Sequence, residues 1–79
     1  MSREMPHDVE AERSVLGAML ISNPVAIEMI TSLGREDFYI DRHQVIFENM
    51  VLLHDKSMAI DITTLTAQLR DTNSLDKAG

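Results

Sequence analysis

The sequence contains no cysteine, which excludes both a disulfide framework and a thiolate metal site. This absence fits the reducing environment of the cytoplasm. No apolar stretch near the amino terminus could act as a secretory signal, and every apolar run is far shorter than the ~20 residues of a membrane-spanning helix. We therefore expect a cytoplasmic protein that makes no membrane contact.

Glycine and aromatic residues are also scarce. The three glycines form no glycine-rich phosphate loop and no dinucleotide-binding fingerprint, so the sequence offers no site for ATP or another nucleotide. The aromatic residues are limited to Phe38, Tyr39 and Phe47, so the core must be built mainly from leucine, isoleucine, valine and the six methionines. Unbranched leucine and methionine lose little side-chain freedom in a helix, which favours a helical fold.

Basic residues are outnumbered: seven lysines and arginines stand against thirteen carboxylates, for a net charge of −6. Contacts with nucleic-acid phosphates require lysine or arginine, and a negatively charged surface repels the phosphate backbone. We therefore expect no direct binding of nucleic acid. A basic protein partner would be compatible with this charge.

No arrangement of catalytic or metal-binding residues is found. His7, His43 and His54 fall in separate segments, and no two of them have the spacing that helical metal ligation favours. We expect His43 to be a surface or packing residue and His54 to interact favourably with a helix carboxyl terminus. The serines lack a nearby base, and helix capping accounts for the acidic residues Glu10, Glu12, Glu36 and Asp37. The sequence thus predicts no catalytic, cofactor-binding or metal-binding residue.

Helix signals begin early in the chain. Apolar residues at helical spacing predict a first helix over Val9–Ile21, capped by Asp8, with Glu10, Glu12 and Arg13 at the surface. A second helix is predicted to begin with Asn23 as its cap and Pro24 in its first turn. We expect it to close at Gly34 in the left-handed conformation.

Two further helices follow. The third is predicted to start at Asp41, which forms an approximate capping box with Gln44, and to end near residues 54–56. Its broad apolar surface predicts a central position in contact with more than one neighbour. The fourth is predicted to start with Asp61 as its cap and to reach about Asp71, with Asn73 as a left-handed stop.

The sequence also predicts the structure of the segments that connect the helices. We expect a short helical turn before the third helix that buries Phe38 and leaves Tyr39 nearer the surface. Ser57 lies in a turn that glycine would fit more easily. Residues 74–77 are predicted to begin another short helix that places Leu75 on the core. Gly17 lies inside the first helix, where it is predicted to permit a close helix crossing.

The predicted fold is all-α, a small orthogonal bundle of four main helices plus short helical turns. Residues 1–7 are interpreted as a flexible leader and residues 8–79 as one helical domain. Met58 and Ile60 are weak candidates for a partner surface, and packing beneath their loop is the favoured interpretation. The predicted core consists of Val9, Leu16, Leu20, Ile27, Ile30, Leu33, Phe38, Ile46, Phe47, Met50, Leu53, Leu65 and Leu69. Ile62 is expected to extend the apolar stripe one turn before Leu65 and Leu69.

Three blocks of sequence, in order, carry a family resemblance. They are PHDVEAERSVLGAML at the start, EDFYIDRHQVIF in the middle, and AIDITTLTAQL followed by SLDKAG at the end. Together they resemble the N-terminal domain of DnaB-family replicative DNA helicases along nearly the whole chain. The departures are mild, namely Asp8 at a cap where asparagine is common and Ser57 where glycine is frequent.

This resemblance implies an all-helical, non-catalytic domain with an architectural role in a hexameric ring helicase. The implied partners are other helicase subunits, with which such domains form a collar, together with primase and, in some systems, loader proteins. ATP and Mg²⁺ would belong to the parent helicase alone. Its helical hairpin, linker and RecA-like ATPase domain would follow the 79 residues, so the chain would be truncated before the hairpin and form a monomer or weak dimer.

The alternative is a free-standing helical regulator of phage or plasmid type, which would mimic the helicase domain and bind its partners. Such a protein would end naturally near Gly79. Sequence beyond this position distinguishes the two hypotheses.

Overall fold

The computed structural model describes residues 9–73, and this part of the chain is helical throughout its regular elements. The all-α class and the four main helices are therefore confirmed. The bounds are α1 Val9–Ile21, α2 Asn23–Ser32, a short 3₁₀ turn Arg35–Asp37, α3 Asp41–Asp55 and α4 Ile62–Asp71. The predicted cap Asp8, His7 and the predicted helix at residues 74–77 lie outside the described residues.

Helices α1 and α2 pack against each other as a hairpin joined at Ser22. Ser22 is the N-cap of α2, because its backbone is extended and its hydroxyl accepts a hydrogen bond from the Val25 N–H at 3.4 Å. Asn23, the predicted cap, is instead the first helical residue. Its side-chain oxygen accepts from the Ile60 N–H at 2.9 Å, so a tertiary contact uses the group that was expected to cap the helix.

The end of α2 also differs from the prediction. The helix ends at Ser32, and its C-cap Leu33 is extended, with its N–H donating to the Met29 carbonyl at 2.8 Å. Gly34 has φ −126° and is extended too, so the predicted left-handed closure is wrong. The chain leaves the helix in extended form, and the Gly34 N–H then donates to Asp37 Oδ2 at 2.8 Å to start the 3₁₀ turn.

Helix α3 lies at the centre of the fold, in contact with α1, α2, the 3₁₀ turn and α4, as its apolar surface predicted. Its start was predicted wrongly, because Asp41 is already helical and Ile40 is the N-cap residue without a side-chain cap. Gln44 forms no capping box and donates instead to the Phe38 carbonyl at 2.7 Å. The N–H groups of Tyr39 and Ile40, just before this helix, have their acceptor on α1.

Helix α4 has the predicted cap. Asp61 Oδ1 accepts from the Thr64 N–H at 2.8 Å, and Thr64 Oγ1 accepts from the Asp61 N–H at 2.9 Å, which forms a reciprocal capping box. Asn73, after the end of α4, has φ 59°, and Ser57, after α3, has φ 61°. Both left-handed positions are as the sequence indicated.

The core is assembled mainly from the predicted residues. Buried members that were predicted are Leu16, Phe38, Phe47, Met50, Leu53, Leu65 and Leu69, and Leu20, Ile30, Leu33 and Ile46 are partly buried against them. The Phe38 and Phe47 rings pack with centroids 5.0 Å apart. Val9 and Ile27 are exposed, contrary to prediction, as is Ile62. Buried residues absent from the predicted core are Met19, Ala26 and Ile60.

Two details of the helices correct the sequence interpretation. A methyl group placed on Gly17 would meet no atom within 4 Å apart from its own helix and chain neighbours, so this glycine mediates no close helix crossing. Val9 is the first residue of α1 and is 37% exposed. Periodicity places a residue on a helix face, but it does not reveal how much of that face a neighbour covers.

Candidate functional site

The most constrained polar group in the described residues is the carboxylate of Glu12. It lies on the same face of α1 as the buried Leu16 and Met19, one and two turns later, and is itself 0% exposed. Its Oε2 accepts from the Tyr39 N–H at 2.6 Å, and its Oε1 accepts from the Ile40 N–H at 3.3 Å. Glu12 was expected at the surface, and that expectation is wrong.

This carboxylate acts as a cap supplied by a different helix. Helix α3 starts at Asp41, and the first backbone N–H groups of a helix have no partner within it. Glu12 binds the N–H of the N-cap residue Ile40 and of the residue before it. The negative charge also lies at the positive end of the helix dipole. One side chain therefore joins α1 to the start of α3.

His43 completes the network from the first turn of α3. Its Nδ1 lies 2.7 Å from Glu12 Oε1, and both side chains are buried. Burial raises the pKa of Glu12, but the hydrogen bonds from Tyr39, His43 and Ile40 lower it by more, so the pKa lies below its ordinary value. Because the ionised carboxylate only accepts, Nδ1–H of His43 is the donor. His43 is thus a packing residue, one of the two roles expected for it.

The chemistry available to this network is structural. Glu12 has three donors already bound to it and no exposed surface from which to reach a substrate. His54 is exposed at the end of α3, and the fold does not bring it to His43. Within residues 9–73, no group of three or more histidine, aspartate and glutamate side chains could hold a metal ion.

Two other buried polar residues connect α3 to α4. Asn49 donates to the Val45 carbonyl at 2.8 Å and accepts from the Thr72 hydroxyl at 3.0 Å. Gln68 accepts from Lys56 Nζ at 2.7 Å. Every buried side-chain nitrogen and oxygen in the described range has a hydrogen-bond partner. Such satisfied networks specify how helices pack.

An open groove of about 600 Å³ lies on the outer side of α3. Its apolar lining comes from the end of α2 and from α3, namely Ile30, Leu33, Phe47, Val51 and Leu52. Its polar lining consists of Gly34, Arg35, Glu48, Asn49 and Thr72. Grooves of this size and composition are typical of binding sites, so this surface is the candidate interaction site. Sequence reasoning missed it, since its residues come from separate elements.

Further apolar side chains are exposed near the α1–α2 turn. The hydrogen bond between Asn23 and Ile60 joins this turn to the connection between α3 and α4. Ile21 is 88% exposed, and Met58 and Ile62 on either side of the buried Ile60 are 45% and 63% exposed. The packing interpretation is therefore correct for Ile60, whereas Met58 remains at the surface.

No helix among the described residues has both the length and the apolar character needed to cross a bilayer. The family described as the DnaB-like helicase N-terminal domain matches residues 4–79.

The chain belongs to this family.

Its relatives support the same assignment. It is 44% identical to the replicative DNA helicase DnaB of Rhodothermus marinus over 98% of the chain, and 39% identical to the enzyme of the same name from Treponema pallidum over 94%. The chain spans only 8% and 17% of these proteins. A crystal structure of the N-terminal domain of DnaB helicase from Mycobacterium tuberculosis superposes with a TM-score of 0.86 at 32% identity, covering 96% of this chain and 53% of that one.

This membership confirms the resemblance seen in the three sequence blocks. The matched region is the non-catalytic N-terminal domain of a replicative helicase, and its structural relative is a domain of the same kind. The 79 residues contain no glycine-rich phosphate-binding loop.

Proposed function

We propose that this chain is the protein-interaction domain of a hexameric replicative helicase, where it contributes to the collar of the ring and contacts primase and loader proteins. The observation that carries this proposal is the family match over residues 4–79 combined with a fold whose polar groups are committed to packing. The described residues contain no group of side chains that could hold a metal ion, and their exposed apolar side chains support surface contacts as the function.

The surface is suited to this role. Apolar side chains are exposed both in the groove along α3 and around the α1–α2 turn. The exposed residues include the carboxylates Glu10, Glu28, Glu36, Asp41, Asp55 and Asp71, in keeping with the net charge of −6. An acidic domain with exposed apolar residues fits protein partners better than nucleic acid, whose phosphates it repels.

The test is a calorimetric titration of the purified chain with the C-terminal domain of the cognate primase. We expect saturable binding, with an affinity that weakens at high salt because the domain is acidic. The isolated RecA-like domain of the same helicase provides a control for nonspecific association. Absence of saturable binding to primase, under conditions where the chain is folded by circular dichroism, would refute the primase contact.

We propose further that residues 8–79 form one helical domain, after a leader at residues 1–7, in a protein that continues into a helical hairpin and an ATPase domain. ATP and Mg²⁺ would act in that later domain, and the whole protein would be cytoplasmic. Reading the gene beyond Gly79 tests this organisation. A phosphate-binding loop downstream is the expected result, and a stop codon directly after Gly79 would favour the free-standing regulator instead.

A further inference from the structure

The groove along α3 leaves apolar side chains uncovered beside the end of α4. Its lining includes Leu33, which follows α2, and Leu52 of α3, which is 42% exposed. Contiguous apolar surface on a folded domain commonly marks a contact with another segment or molecule. The segments of the chain that lie next to the groove indicate what this contact is.

One edge of the groove is formed by the end of α4. Thr72 belongs to the lining, and its hydroxyl donates to Asn49 Oδ1 at 3.0 Å, which holds the end of α4 against α3. Asn73 follows with φ 59°, and a left-handed residue after a helix turns the chain away from the helix axis. The chain therefore leaves α4 directly beside the groove.

Residues 74–79 have the sequence SLDKAG, in which Leu75 is the one large apolar residue. The three-residue step from Thr72 to Leu75 spans at most about 11 Å when the chain is extended. Moving a leucine side chain from water onto an apolar surface is favourable, and the groove offers such a surface within this reach. Because Leu75 is tethered to the edge of the groove, its effective concentration there is high.

Two other occupants are less favourable. Residues 1–8 join the described structure at Val9 in α1, and none of the described residues that line the groove belongs to α1. A second copy of the chain would bring its own net charge of −6 towards the first, which opposes association. The carboxyl-terminal segment, by contrast, starts at the groove itself.

We infer that residues 74–79 dock in this groove, with Leu75 in contact with Leu33 and Leu52. The groove is then a contact within the domain, which holds the end of α4 to α2 and α3, and the partners proposed above bind other surfaces. The inference concerns the free chain, so it does not depend on the identity of those partners.

The first test uses the full chain in solution, labelled at its leucine methyl groups. We expect nuclear Overhauser effects between the methyl groups of Leu75 and those of Leu33 and Leu52. A sample mixed from labelled and unlabelled chains distinguishes contacts within one chain from contacts between two chains. Contacts that occur within one chain support the inference.

The second test measures the stability that the contact contributes. Leu75→Ala should lower the Tm by about 6–12 °C, whereas Lys77→Ala, a matched truncation in the same segment, should shift it by less than about 4 °C. The effect of Leu75→Ala should fall to about half in a Leu52→Ala background, because the two leucines are in contact. It should be unchanged in an Ile62→Ala background, since Ile62 is exposed and does not line the groove.

Four results would overturn the inference. Overhauser effects from Leu75 to Ile21 or Met58 would place the segment at the α1–α2 turn, and contacts detected solely between two chains would assign the groove to a second copy. A Tm unchanged by Leu75→Ala would show that the side chain stays in solvent. Additive losses for Leu52→Ala and Leu75→Ala would show that the two leucines are not in contact. None of these results depends on the primase titration, so failure of either proposal is distinguishable.

Discussion

Replacing Glu12 by glutamine removes the charge that joins α1 to the start of α3 while keeping the size of the side chain. The amide retains one oxygen, which has two lone pairs and so accepts from at most two of the three donors, and its NH₂ group replaces the other acceptor oxygen. Tyr39, Ile40 and His43 supply these donors at 2.6, 3.3 and 2.7 Å. At least one buried donor is therefore left without an acceptor.

The expected loss follows from these contacts. A hydrogen bond to a charged group contributes about 1.5–3 kcal/mol, and a buried donor left unsatisfied costs about 1–3 kcal/mol. Because the amide still forms some of these hydrogen bonds, it recovers part of their energy. We therefore expect Glu12→Gln to lower the free energy of unfolding by about 2–4 kcal/mol. Domains of this size are stable by roughly 4–12 kcal/mol, and each kcal/mol shifts their Tm by about 4–8 °C, so the Tm of the variant should be lower by about 8–32 °C.

The assay is urea and thermal unfolding followed by circular dichroism at neutral pH. Glu28→Gln, at an exposed position in α2, is the matched control and should change stability by less than about 0.5 kcal/mol. A double-mutant cycle with His43→Gln should give a coupling energy of about 0.5–3 kcal/mol, because the two side chains are in direct contact. If Glu12→Gln proves as stable as the control, the carboxylate does not cap α3 and the reasoning fails.

Four further outcomes are expected. Folding lowers the pKa of Glu12, so the stabilisation by its ionised carboxylate is complete above the unfolded pKa of about 4.3 and is lost as pH falls through the lower folded value. The difference in free energy of unfolding between wild type and Glu12→Gln should therefore narrow in unfolding series at acid pH. Gly17→Ala should raise the free energy of unfolding by up to about 1 kcal/mol in urea titrations, because alanine favours the helix and the added methyl group meets open space. A lower free energy of unfolding would show that the methyl group clashes with a neighbouring atom. Asp61→Ala should lower it by about 1 kcal/mol through loss of the α4 cap, with a parallel loss of amide protection at Thr64. Ser57→Gly should stabilise the fold by a few tenths of a kcal/mol up to about 1 kcal/mol in the same titrations, because φ is 61° there, and a lower stability would contradict the left-handed turn.

Local sequence was sufficient wherever the partners of a group lie within one helical turn. The cap formed by Asp61 and Thr64, three residues apart, was predictable from spacing because the backbone itself brings such residues together. The helical period likewise placed Leu16, Met50 and Leu65 on buried faces. The three sequence blocks also identified the family, which the match over residues 4–79 confirmed.

Predictions failed where a local pattern competed with a distant partner. Asn23 has the chemistry of a cap, but its oxygen binds the N–H of Ile60, 37 residues away, and the neighbouring Ser22 caps the helix. Val9 and Ile27 follow the apolar period, yet no element covers them enough to bury them. The groove was not foreseen because α2, the 3₁₀ turn, α3 and Thr72 each supply only part of its lining.

The sequence by itself determined the helices, most of the core and the family, because these depend on spacing along one chain segment. Tertiary structure alone decided the role of Glu12, which resembles any surface carboxylate in the first turn of a helix until its partners are known. Those partners lie 27 to 31 residues later in the chain. A buried charge is tolerated only when such donors converge on it, and their convergence is a property of the packed helices.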